Sequence, residues 1–197
     1  MQEDKFWKYI ELAQKELPEF NNIRAYEEYQ IFLIKQSLVK QSFKEIFNFN
    51  KIYIQKVNKL LLPNVVELFT VRRRSFEDLK DGQAYISNDG FRDFRGWIIG
   101  LGRENYQLLK DFKKEEEIIH FNFYVENAYR DDLEFIINDL YEAFYAELKD
   151  AEIDKMYKNR FSKGDLADFG EISEQIDWAN LDKKYPKMFA KYSKESI

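Results

Sequence analysis

The chain is 197 residues long, carries a formal net charge of -5, and has one histidine and no cysteine. Disulfides, thiol nucleophiles and Cys-ligated zinc or iron–sulfur centres are thereby excluded, and no multi-histidine metal site can be built. One domain over 1–197 is expected, able to bury roughly two-thirds of its extended surface with no metal or cofactor to hold it.

Met1 to Lys8 is charged before it is apolar, unlike a signal sequence, and nowhere is there a run of about eighteen apolar residues. No membrane span is expected, and the location reads as cytoplasmic. Three prolines and seven glycines favour long helices, while 18 phenylalanines and 13 tyrosines promise an aromatic core.

Phe6, Trp7, Ile10, Ala13, Gln14 and Leu17 have helical spacing and stop at Pro18. A second helix is predicted from Asn22 to about Val39. A third starts near Ser42, carries Phe43, Ile46, Phe47, Ile54, Val57 and Leu61, allows a break near Asn48 and Asn50, and ends at Pro63. Val65 to Val71 is rich in β-branched residues, so a short strand, a helix and an extended linker all compete there. Ser75 to Lys80 opens another helix; Asp81-Gly82 and Asn88-Asp89-Gly90 are turn signals. Helices then follow from about Gly90 to Leu101 and from Arg103 to Asp111. The acidic stretch Glu115 to Tyr157 reads as two helices, with Phe135, Ile136, Leu140, Phe144 and Leu148 in register. Residues 162–197 carry Trp178, Leu181, Tyr185, Met188, Phe189 and Tyr192, which suit a segment packing back on the body. The fold class is all-α.

Charge is segregated along the chain. Between Lys35 and Arg74 nine basic residues face two acids, and between Glu126 and Asp154 ten acids face two bases. Two solvated faces that attract each other would account for this, as would an acidic face docking a basic partner.

The densest polar constellation lies at 88–106. At about 100° per residue, Phe91, Phe94, Ile98, Leu101 and Gly102 share a helix face, and Arg95 falls inside it. A buried guanidinium needs acceptors, for which Asp78, Asp81, Asp89 and Glu104 are candidates. Gly96 and Gly100, four apart, permit close approach by a helix or ligand. Either an Arg–Asp network fixes the turns, or Arg92, Arg95 and Arg103 form a small anion pocket with the backbone of Asp89-Gly90. The Gly-rich loop and Lys-Ser/Thr ending of a phosphate-binding loop are missing.

The run Asp89-Gly-Phe-Arg-Asp-Phe-Arg-Gly-Trp-Ile-Ile-Gly-Leu-Gly-Arg-Glu-Asn-Tyr106 resembles the core signature of a bacterial family, domain of unknown function family 4240. Phe6-Trp7, Tyr85-Ile-Ser-Asn88, Asp177-Trp178 and Tyr185-Pro186 through Tyr192 are similar to it as well. The residues just before Asp89-Gly90 depart from the family pattern. The resemblance implies a mostly helical bacterial domain and brings no catalytic residues.

His120 could pair with Glu116 or Glu117 as a ligand set, but a surface or structural histidine is the better reading. Adjacent Asp131 and Asp132 point about 100° apart on a helix, which suits a solvated face better than paired-carboxylate chemistry. Arg72-Arg73-Arg74 with Lys51, Lys56 and Lys59 could meet phosphates, yet the net acidity argues against nucleic acid. The sequence therefore points to a non-enzymatic interaction module, of the immunity or antitoxin kind, whose Asp131, Asp132, Glu134, Asp139, Glu142 and Glu147 hold a basic protein. The alternatives are a sensor or enzyme for a small anion at Asp89, Arg92, Arg95, Arg103 and Glu104, and a homo-oligomeric scaffold.

Overall fold

The computed structural model describes residues 1–15, 23–71, 88–121 and 174–192, together with Leu133, Ile136, Asp139, Leu140 and Ile172. Among them every regular element is helical and none is a strand. The first, α1 (Glu3–Ile10), turns Phe6, Trp7 and Ile10 inward. Burying each of these contributes roughly 1.5–3 kcal/mol. The chain pauses at Glu11 and resumes in the single turn α2 (Leu12–Lys15), so the first expected helix is two pieces.

Next come α3 (Ile23–Leu38) and α4 (Phe43–Asn58). Ser42 caps α4, its hydroxyl accepting the Glu45 N–H at 3.4 Å. The helix runs unbroken through Asn48 and Asn50, because its apolar stripe of Ile46, Phe49, Tyr53 and Val57 continues across them. Pro63 opens α5 (Pro63–Val71), the position at which a missing N–H costs nothing. The strand or extended alternative for 65–71 is thus corrected to a helix. All seven side chains from Val65 to Val71 are buried, and a helix enclosed on every side shows no polar face in sequence.

The predicted helices around the central constellation are α6 (Asn88–Gly100) and α7 (Arg103–Asp111). Gly102 joins them with φ 89° and ψ 171°, a conformation that needs glycine, and a Cβ there would sit 2.6 Å from Gln14 Nε2. A 3₁₀ turn at Glu115–Glu117 stands where an α-helix was expected to start. Its Glu115 side chain is turned inward to cap a distant helix, as described below. Leu133, Ile136 and Leu140 are helical and buried. The helix expected at Ser75 to Lys80 and the rest of 122–171 lie outside the described residues. A 3₁₀ turn at Trp178–Asn180 leads into α8 (Leu181–Lys184) and α9 (Pro186–Tyr192).

Helix α1 packs on α3 and α4, α6 on α4, α5 and α7, and α9 on α5. Aromatic rings knit these contacts. Phe6 meets Phe49 at 4.9 Å, Trp7 meets Tyr106 at 5.1 Å, and Phe69 lies 5.4 Å from both Phe91 and Phe94. No helix among the described residues is long and apolar enough to cross a membrane.

Candidate functional site

The C-terminal end of α4 is where the site is assembled. Its last carbonyls have no partner within the helix, and two neighbours reach them. Tyr106 from α7 donates its hydroxyl to the Lys56 carbonyl at 3.4 Å, and Arg95 from α6 donates to the Val57 carbonyl at 3.3 Å. Arg95 also bonds the Phe91 carbonyl at 3.4 Å and stacks on the Phe91 ring at 4.8 Å. The buried guanidinium is therefore held by backbone and ring at a helix end whose dipole favours cations.

Lys56 lies on the buried stripe of α4 and is itself buried. Its ammonium is 5.5 Å from both the Trp7 and Tyr106 ring centres and bonds Glu3 at the start of α1. Trp7 Nε1 donates to the same carboxylate at 3.3 Å. The Lys56 hydrogen bond holds the Glu3 carboxyl below its ordinary value of 4.5. Burial, followed by the Glu3 and Asp111 charges, pushes the Tyr106 phenol up to about 12.

Around this pair opens a cleft of about 770 Å³ between α1 and α7, floored by Trp7, Lys56, Tyr106, Leu108 and Phe112. Its lining includes six carboxylates, Glu3, Asp4, Glu11, Glu104, Asp111 and Glu117, against two cations, Lys56 and Arg103. Both cations are engaged: Lys56 with Glu3, and Arg103 with Asp4 at 2.5 Å. Glu11 accepts the Arg103 N–H at 2.9 Å, and Glu117 accepts the Lys113 and Lys114 N–H groups. Asp4 is 83% exposed and Glu104 is exposed. No three such side chains among the described residues converge as a metal cage would require.

A second group of carboxylates behaves differently. Glu67 on α5 is only 5% exposed and accepts Lys184 Nζ at 2.6 Å and the Tyr185 hydroxyl at 2.6 Å. Burial, reinforced by the Glu67 bond, raises the Tyr185 pKa well above the ordinary phenol range. Glu115, also buried, accepts the N–H groups of Lys187 and Met188 at 3.0 and 3.1 Å. It supplies from another segment the acceptor that α9 lacks at its own N-terminus.

Of the six acids expected to hold a partner, Asp139 alone is described. It is exposed and pairs with Lys35 on α3 at 2.5 Å, tying the acidic segment to the basic one. Asp131, Asp132, Glu134, Glu142 and Glu147 lie outside the described residues, as do the side chain of Asp89 and the candidate acceptors Asp78 and Asp81. Among the three arginines, Arg103 reaches the cleft; Arg95 is buried at the α4 end, and Arg92 is half-buried with Asp93 at 4.0 Å. Gly96 and Gly100 are buried, and the Gly100 carbonyl accepts Gln30 Nε2 at 3.0 Å, a close approach from α3. His120 is exposed beside Phe121.

Sequence reasoning missed Glu3, Trp7, Lys56 and Tyr106 as one unit, and Glu67 and Glu115 as anchors. One signal was readable: Lys56 and Glu67, like Arg95, are lone charges within otherwise apolar patterns.

The model of a family described as Protein of unknown function (DUF4240) matches residues 1–143. That span contains every residue of the cleft lining and stops short of α8 and α9. No curated protein and no solved structure matches the chain.

Proposed function

The chain belongs to the DUF4240 family, and from its geometry we propose a non-enzymatic interaction module of the bacterial cytoplasm whose acidic cleft receives a basic protein partner. One observation carries this reading: six carboxylates line the cleft against two lining cations, which pair with Glu3 and Asp4. Of the remaining four only Asp111 meets a cation among the described residues, Lys110 at 3.3 Å. The cleft therefore presents a negative field over an aromatic floor. Such a surface attracts lysine and arginine side chains and sets the register of a complex.

The titration of the cleft groups supports binding over acid–base chemistry. A proton-transferring group works best near neutral pH, whereas Glu3 is pushed down and Tyr106 up, both away from it. Covering the basic surface of a nucleic-acid-cutting partner in this way would give the immunity-type inhibitor that the charge pattern suggests.

The test is fluorescence anisotropy with a labelled peptide rich in arginine and lysine, using wild type and a Glu104→Lys/Asp111→Lys variant. Wild type should bind, with affinity falling as salt rises, and the variant should bind at least tenfold more weakly. A Glu174→Lys control should match wild type. Equal affinity in the cleft variant would refute the reading.

A further inference from the structure

The solvent side of α4 carries the opposite charge. Lys44 and Lys51 are exposed and seven residues apart, so they project within about 20° of one another, and exposed Lys40 precedes them on the connecting turn. None of their three ammonium groups makes a hydrogen bond or an ion pair among the described residues. Several lysines elsewhere do: Lys5, Lys35, Lys56, Lys110, Lys184 and Lys187 each meet a carboxylate. Among the described residues the lysine face of α4 is thus a cationic surface without a carboxylate partner.

Its spacing matches that of the cleft. Glu104 and Asp111 on the α7 wall, both exposed and both within one helix, are seven residues apart. Along a helix that is about 10 Å, the same axial repeat as Lys44 to Lys51. We infer that the basic partner of the acidic cleft is a second copy of this chain, with the α4 lysine face of one protomer docked on the α1–α7 cleft of the next. This rests on the reading that the cleft binds basic protein surfaces.

The contact joins two different patches, so each docked copy still offers one free cleft and one free lysine face. Association then grows head to tail, into short chains or a closed ring, instead of stopping at a two-fold dimer. Near 0.1 M salt the Debye length is about 10 Å, so facing charges count for more than the net charge of each copy. Added salt weakens the contact.

Sedimentation velocity on the full chain tests this, across a concentration series at low and high salt. Wild type should gain mass with concentration at low salt and return to monomer at high salt. Lys44→Glu/Lys51→Glu and Glu104→Lys/Asp111→Lys, both exposed changes checked for folding by circular dichroism, should each stay monomeric. Mixing the two variants should restore association, because each offers the face that the other needs. Monomeric wild type that still binds the basic peptide would overturn this inference and leave the cleft reading intact. Monomeric wild type that binds no peptide would overturn both. Association untouched by either variant, or not restored by mixing, would also overturn the inference.

Discussion

Two regions of this molecule use carboxylates in opposite ways. At the C-terminal anchor, Glu67 and Glu115 are buried and spend their oxygens on donors from residues 184–188. Around the α1–α7 cleft, acids such as Asp4 and Glu104 stay in water, and even the paired ones, Asp4 with Arg103 and Asp111 with Lys110 at 3.3 Å, remain at the solvent surface. A buried acceptor that loses its donors is costly, whereas an exposed charge costs the fold little and is free to act on other molecules. The contrast separates the carboxylates that hold the structure from those that give it a field.

The largest expected effect lies at the anchor. Glu67→Ala strands the buried Tyr185 hydroxyl and should cost about 2–3 kcal/mol in urea unfolding, whereas Lys184→Ala, at the exposed end, should cost under about 1 kcal/mol. Equal losses would erase the distinction. Gly102→Ala, at the joint between α6 and α7, should cost about 1–3 kcal/mol because its backbone conformation suits glycine alone. Adding Gln14→Ala should relieve the contact and leave the backbone penalty. Glu115→Ala should cost about 1 kcal/mol, the worth of a helix cap, with Glu115→Gln keeping part of it.

A smaller effect should appear in the acid limb. The folded-state pKa of Glu3 is depressed, so its contribution is whole above the ordinary value of 4.5 and is lost as pH falls through the lower folded value. Lys56→Met should flatten that limb when stability is followed from pH 6 to 2; an unchanged limb would place the pairing elsewhere. Tyr106 has the opposite sign. Its raised pKa contributes stability that is intact below 10 and fades as pH climbs through about 12. Least of all, Glu104→Lys should move stability by no more than about 0.5 kcal/mol while altering peptide binding, which sharpens the comparison most.

The helices were legible because their apolar positions repeat at helical spacing, as Phe6, Trp7 and Ile10 or Phe91, Phe94 and Ile98 do. Val65 to Val71 was ambiguous because a helix buried all round erases the polar face that distinguishes it from a strand. The burial of Arg95 was readable from its position among apolar residues, but its bonds to the Phe91 and Val57 carbonyls were not, since carbonyls leave no mark in side-chain pattern. The cleft was hidden for a related reason. Glu3, Lys56 and Tyr106 are far apart along the chain, and only the packing of α1 and α7 against α4 and its neighbours gathers them.

The most direct measurement is a ¹H–¹⁵N correlation titration of the full chain with the basic peptide. The account predicts shifts concentrated on α1 and α7 amides and on the Trp7 indole, reversed by salt. Shifts centred on other helices, or none at peptide concentrations that saturate the anisotropy signal, would contradict it.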